Sequence, residues 1–225
     1  SVNRSIYSKM PFQDSDFAPI IWTAAVPQIL VVHPSVPVKN VKELIALAKS
    51  KPDQLVYGST GSGAINHLAG ELFKLMTGIK MVHVPYKGGG PVAIALLSGE
   101  VGVLFAEPAT MVQHIKSGKV RALAVTTPKR SLVLPQLPTI AESGVPGYEV
   151  TSWNGMLIPA GTPPEIIRRL NAEFNKAISA PEMRERMIAN GYEPVGGEPG
   201  RFSELIRTET AKWAKVVKAA GMKVD

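Results

Sequence analysis

A short β-rich run, Leu55-Val56-Tyr57, breaks into Gly58-Ser59-Thr60-Gly61-Ser62-Gly63, and a helical pattern begins at once. Ile65, Leu68, Leu72, Phe73 and Met76 recur on one helical face, with Gly78 as a stop. A strand that turns through glycines straight into a helix commits this stretch to an α/β architecture. It also brings the unpaired N–H groups of the first helical turn towards one point, where the helix dipole favours an anion. Ser59, Thr60 and Ser62 add hydroxyl donors. The segment Ser59, Thr60, Gly61, Ser62 and Gly63 therefore reads as a seat for a carboxylate or a phosphate. The plain alternative is a strand-to-helix turn that binds nothing.

The nucleotide versions of such a loop do not fit. A phosphate-binding P-loop needs a lysine after its last glycine, and Ala64 follows Gly63. A dinucleotide fingerprint needs a third glycine where Asn66 stands, and the next strand ends at Pro85-Tyr86-Lys87 with no acid to hold a ribose. Neither Ser59 nor Ser62 sits in a Gly-x-Ser-x-Gly elbow, and no histidine–acid pair is suggested, so no catalytic residue is expected. His33, His83 and His114 are scattered along the chain, which argues against a metal.

The chain has 225 residues, enough for one large domain or two small ones with a substantial core. It has no cysteine, which excludes disulfides, thiolate metal sites and a thiol nucleophile. The net charge of +7 favours anionic partners. Its lysines and arginines are spread along helix faces with no basic–aromatic interleaving, so nucleic acid is not expected. No apolar run reaches the length of a membrane span, and Ser1-Val2-Asn3-Arg4 opens into polar sequence in which no signal peptide is visible: either one was removed or the protein never had one.

From Gln28 to Thr127, short apolar strands alternate with helices, which predicts a mostly parallel sheet covered on both faces. Strands are expected at Ile29–Val32, Lys80–Val84, Val101–Phe105 and Val120–Val125. Helices are expected from Asn40, which caps, to Lys49, from Pro91 to Gly99 and from Pro108 to Gly118. Ligands of such sheets sit beyond the carboxyl ends of the strands. The glycine loop, Tyr86-Lys87-Gly88-Gly89-Gly90 and the segment after Phe105 fall at those ends. A proline- and glycine-rich connector follows to Gly147, with one capped turn at Thr139 and Glu142. Then come a strand over Val150–Ile158, a helix capped by Thr162, a helix ended by Gly191, and a last amphipathic helix carrying Phe202, Trp213 and Val217. These helices have too few strands to cover their apolar faces.

In order and spacing, the motifs of this chain resemble those of the substrate-binding receptors of tripartite tricarboxylate transporters, the Bug receptors. The matching stretches include Asp16-Phe17-Ala18-Pro19-Ile20, Val41-Lys42-Glu43-Leu44-Ile45 and the glycine loop through His67-Leu68. They continue with His83-Val84-Pro85-Tyr86-Lys87-Gly88, Gly118-Lys119-Val120-Arg121-Ala122-Leu123, Gly144-Val145-Pro146-Gly147-Tyr148 and Pro159-Ala160-Gly161-Thr162-Pro163. The resemblance implies a bilobed, type II periplasmic-binding-protein-like fold. Residues 26–148 would form a complete middle lobe, and residues 1–25 with 149–225 a second lobe. This second lobe lacks the N-terminal strand–helix segment with which family members begin, so it is expected to be truncated and prone to self-association.

The resemblance further implies a periplasmic solute receptor. It would capture a di- or tricarboxylate or an aromatic acid in an interlobe cleft, pass it to a membrane permease and use no cofactor. Thr23 and Trp153, on the two crossing segments, would line that cleft; Trp153 has the second reading of a packing residue. His67 reads either as a ligand contact or as a helix-stabilising residue. Tyr86, Gly88 and Gly89 read either as a cleft-edge loop or as a flexible connector. Phe105 stands at a strand end. Gly102 and Ala106 occupy positions where acids are common in the family, which leaves less to hold a ligand ammonium. The rival functions are an enzyme of phosphate ester hydrolase type built on the glycine loop, and an interaction module that binds no ligand.

Overall fold

The structure is a computed structural model that describes Ile6 and residues 10–222; the polar opening Ser1-Val2-Asn3-Arg4 lies outside the described residues. The chain forms two compact units. One takes in the described residues up to Val26 together with those from Ser152 onward, and the other is Pro27–Thr151. The boundaries expected from sequence were 25/26 and 148/149.

Strand β1 (Phe17–Pro27) leads the chain into the middle unit. There follow β2 (Ile29–Val32), α1 (Val41–Ser50), β3 (Val56–Ser59), α2 (Ile65–Thr77), β4 (Val82–Pro85), α3 (Gly89–Ser98), β5 (Val103–Ala106), α4 (Pro108–Lys116) and β6 (Arg121–Val125). The sheet order is β4-β3-β5-β2-β6. β3 is parallel to β4 and β5, whereas β2 is antiparallel to both β5 and β6. The expectation of a mostly parallel sheet is thus met by four strands, and β2 runs against them. The apolar run Ile29–Val32 is buried on both sides in either orientation, so its composition carries no direction.

Side chains alternate across the sheet. Ile29, Val31, Leu104 and Ala106 share one core with Val92, Leu96 and Met111 of α3 and α4. On the other face, Phe105 meets Phe73 of α2 edge-on at 5.9 Å, and Phe73 meets Tyr148 at 5.9 Å. Helix α1 is capped as predicted, with the Glu43 amide donating to Asn40 Oδ1 at 2.9 Å. The connector turn also closes as predicted: the Thr139 amide donates to the Glu142 carboxylate and the Glu142 amide to Thr139 Oγ1, both at 2.9 Å. Thr126 ties the two ends of the unit together. Its hydroxyl accepts from the Gln28 amide at 2.9 Å and donates to the Val150 carbonyl at 2.6 Å.

Strand β7 (Thr151–Pro159) leads out of the middle unit. α5 (Pro164–Ser179), α6 (Pro181–Ala189), β8 (Glu193–Pro194) and α7 (Pro199–Ala220) follow. The sheet here is β7-β1-β8, and β8 was not foreseen because a two-residue strand leaves no periodic pattern. Thr162 does not cap α5. Pro163 takes the cap position, and the Thr162 hydroxyl donates to the Pro159 carbonyl at 2.8 Å. An apolar groove of about 550 Å³ is lined by Phe12, Phe17, Trp153, Leu157 and Ile206 in this unit.

Candidate functional site

Three helices of the middle unit begin at the carboxyl ends of three parallel strands: α2 after β3, α3 after β4 and α4 after β5. Their first turns open on a single pocket of about 300 Å³. Thr60, Ile65 and Asn66 line it from the glycine loop and α2, Gly89 and Val92 from α3, and Glu107, Thr110 and Met111 from α4 and its cap. Leu104 and Ala106 supply apolar surface at the end of β5. Helix N-termini leave their first amides without intrahelical partners. Those of Ile65, Asn66, Gly89, Gly90 and Ala109 make no hydrogen bond among the described residues. Such convergence of N–H groups and positive dipole ends suits a carboxylate.

Asn66 organises the loop side. It is 4% exposed, and its Oδ1 accepts from the Thr60 amide at 3.1 Å, the Thr60 hydroxyl at 3.2 Å and the His67 amide at 3.1 Å. Two backbone donors on one side of the carboxamide fix which end is oxygen, because an NH₂ group cannot accept. The amide nitrogen of Asn66 has no partner among the described residues and belongs to the pocket wall. In sequence Asn66 stands out only as the residue in place of a third glycine; its role comes from its place at the second position of α2, within reach of the Thr60 amide.

The expected residues separate. Thr60 of the seat and Gly89 of the expected cleft-edge loop line the pocket, whereas Ser59, Gly61, Ser62 and Gly63 do not. Ser62 stands exposed at the loop tip with its hydroxyl unpartnered among the described residues, between Gly61 (φ 145°) and Gly63 (φ 79°). Ser59 is wholly buried and turned inward. Its hydroxyl donates to the Gly61 carbonyl at 3.0 Å, accepts from the Gly61 amide at 3.2 Å and lies 2.7 Å from His83 Nε2. A strand residue whose neighbour faces the pocket must face the other way.

His67 also sits behind the loop, where its Nδ1 accepts from the Gly63 amide at 3.0 Å. That bond places the ring proton on Nε2, 3.9 Å from the Glu71 carboxylate. Burial pulls the His67 pKa below its ordinary value, so at neutral pH this contact is not an ion pair. Glu71 is held instead by the Tyr57 hydroxyl at 2.6 Å and Lys74 at 2.7 Å. Burial, reinforced by Glu71, pushes the Tyr57 phenol far above its usual range. His83, which looked isolated in sequence, stacks on His67 because β4 lies beside β3. Among the described residues no group of three or more metal-ligating side chains is close enough to hold a metal.

The remaining expectations land elsewhere. Phe105 is fully buried against Phe73 and is core, because its side chain points to the α2 face of the sheet. Tyr86 donates to Glu100 at 2.7 Å; burial and then Glu100 push its pKa up to about 12. Gly88 is the cap of α3, at φ 100°, and its amide donates to the Thr60 carbonyl at 3.1 Å. Helix α3 therefore starts at Gly89, ahead of the expected Pro91, and Gly89 enters the pocket as its first residue rather than as loop. Thr23 spends its hydroxyl on the Asn154 carbonyl at 2.9 Å, within the β7-β1-β8 sheet unit. Trp153 packs edge-on against Phe202 at 5.4 Å and borders the apolar groove of its own unit.

Comparison with known proteins agrees with this architecture. The description "Tripartite tricarboxylate transporter family receptor" matches residues 1–222. A protein of Pseudomonas sp. strain P51, described as "UPF0065 protein in tcbD-tcbE intergenic region", is 38% identical over 218 residues. That match takes in 96% of this chain, and the chain spans 65% of the relative's length. The solved structure of R. palustris Rpa4515 with adipate superposes with a TM-score of 0.89 at 39% identity, covering 100% of this chain and 76% of that one. The periplasmic binding protein BugD superposes at 0.84 with 33% identity and the same coverage. The matched family is one of receptors, and the two solved structures share the α/β fold seen here. The chain belongs to the receptor family of the tripartite tricarboxylate transporters.

Proposed function

We propose that the middle unit holds the carboxylate of a small organic acid, and that the protein presents this acid to a membrane permease without transforming it. The observation that carries the reading is the opening of three helix N-termini on one pocket, with the buried Asn66 carboxamide aimed into it. The donors are amides and a carboxamide, which satisfy a carboxylate without a counter-charge. Ile65, Val92, Leu104 and Met111 favour methylene or aromatic carbon beside it. Adipate, present in the 39%-identical structure, has both features. A periplasmic location, the permease as partner and self-association of this chain belong to the same proposal. No helix among the described residues is long and apolar enough to cross a membrane.

Titration calorimetry with adipate, malate, benzoate and inorganic phosphate tests it. A carboxylate is expected to bind and phosphate not to. Preference for phosphate would return the glycine loop to phosphate ester chemistry.

A further inference from the structure

Two imidazole rings lie beneath the glycine loop, one on α2 and one on β4. His67 and His83 stack at 3.7 Å between centroids and within 7° of parallel. Each ends on a different arm of the loop. His67 Nδ1 takes the Gly63 amide at 3.0 Å. His83 Nε2 lies 2.7 Å from Ser59 Oγ, which in turn holds both the amide and the carbonyl of Gly61. Gly61 and Gly63 flank Ser62, and both have the positive φ that leaves a glycine loop without conformational restraint of its own.

We propose that His67 and His83 are positioning residues for the ligand seat: as neutral rings they clamp Gly61 and Gly63, and protonation of His67 opens the clamp and weakens ligand binding. The bond from Gly63 requires a lone pair on Nδ1, and an imidazolium has none. Protonated His67 would set an N–H against an N–H at the same 3.0 Å separation. The stack opposes a second charge, since two imidazoliums at ring-contact distance repel.

The groups facing the pair are Glu71 and Lys74 from α2, Tyr57 from β3 and, against Tyr57, Tyr148 from the connector. Of these, Glu71 draws a proton towards the rings and Lys74 repels it. Glu71 is already engaged by Tyr57 and Lys74, so burial prevails and both rings are held neutral. The consequence for affinity rests on the receptor reading; the clamp itself does not.

The experiment therefore has two arms. In the first, imidazole and amide nitrogen NMR on the ligand-free chain follows pH from neutral to acid. The Nε2–H form of His67 is expected at neutral pH, with the Gly63 amide shifting in step with His67 protonation. A His67 proton on Nδ1, or a Gly63 amide that ignores the titration, would overturn the clamp.

In the second, adipate affinity is measured at pH 7 and pH 5 for the wild type and for His67→Asn, whose Oδ1 reaches the place of Nδ1 but does not titrate. Protonation of adipate is common to both proteins and cancels in their ratio. The wild type should lose roughly three- to tenfold more affinity than the variant on acidification, and equal losses would overturn the proposal. If adipate binds neither protein at pH 7, the choice of adipate in the receptor reading fails, and the NMR arm still decides the clamp.

Discussion

Asn66 Oδ1 accepts from both the amide and the hydroxyl of Thr60, at 3.1 and 3.2 Å, so one buried carboxamide sets the shape of the loop while its other end faces the pocket. Asn66→Asp separates these two tasks. A carboxylate oxygen accepts the same bonds, but the outward donor is lost and a negative charge faces the ligand. Thermal unfolding should stay near the wild-type midpoint, while adipate affinity falls by about 1.5–3 kcal/mol or more. Asn66→Ala should also lower stability, by about 1–3 kcal/mol, because the Thr60 and His67 amides lose their acceptor.

Ser59 and Ser62 sit close in sequence with opposite roles. Ser59→Ala removes a buried hydroxyl that holds Gly61 and meets His83, so denaturant unfolding should show a loss of about 1–3 kcal/mol. Ser62→Ala, at the exposed tip, should leave stability within about 0.5 kcal/mol. Any loss from Ser62→Ala should appear only in calorimetric ligand affinity. The reverse pattern would mean that the loop is held from the tip.

Glu107 holds the cap position of α4, without a side-chain cap bond, and lines the pocket. Its charge suits the α4 dipole but repels an anion held beside it. With Ala106 next to it and Gly102 packed on Val36, it is the acid of β5 and its cap that lines the pocket. Glu107→Gln should tighten a dicarboxylate such as adipate by about 0.5–1 kcal/mol at low salt, and less at high salt. An amino dicarboxylate should gain less than adipate from the same change, since its ammonium loses a partner. Side-by-side calorimetry of adipate and glutamate decides it.

Much of this arrangement was legible in the chain. The strand–glycine–helix segment from Val56 to Glu71, the capping pairs Asn40/Glu43 and Thr139/Glu142, and the alternation of elements each follow from local rules of period and cap chemistry. What escaped was whatever depends on which strands become neighbours. The pairing of β3 with β4 stacks His83 on His67, and no spacing between residues 67 and 83 announces it. The inward turn of Ser59 follows from the pleat, but reading the loop as a cluster of hydroxyls hid it. Glu107, Thr110 and Met111 join the pocket because β5 lies next to β3 in the sheet. The position of Phe105 at a strand end suggests the site, whereas the face it occupies sends it into the core.

The histidine pair also predicts how stability varies with pH. Burial, then the neighbouring His67, depress the folded pKa of His83 from 6.5 to about 4, and burial lowers that of His67 as well. The folded state thus favours neutral rings, whereas the unfolded chain takes up protons near pH 6.5. Between these values the unfolded state binds more protons, and stability rises with pH. The contribution is complete above about pH 6.5 and is lost as the pH falls towards about 4. Urea unfolding at several pH values across this window should therefore show a falling midpoint on acidification. His83→Gln keeps an atom near Ser59 Oγ but does not titrate. It should begin less stable at neutral pH, for want of the stack on His67, and then follow a shallower slope to pH 4. A slope unchanged from wild type would assign the acid sensitivity to carboxylates elsewhere in the chain.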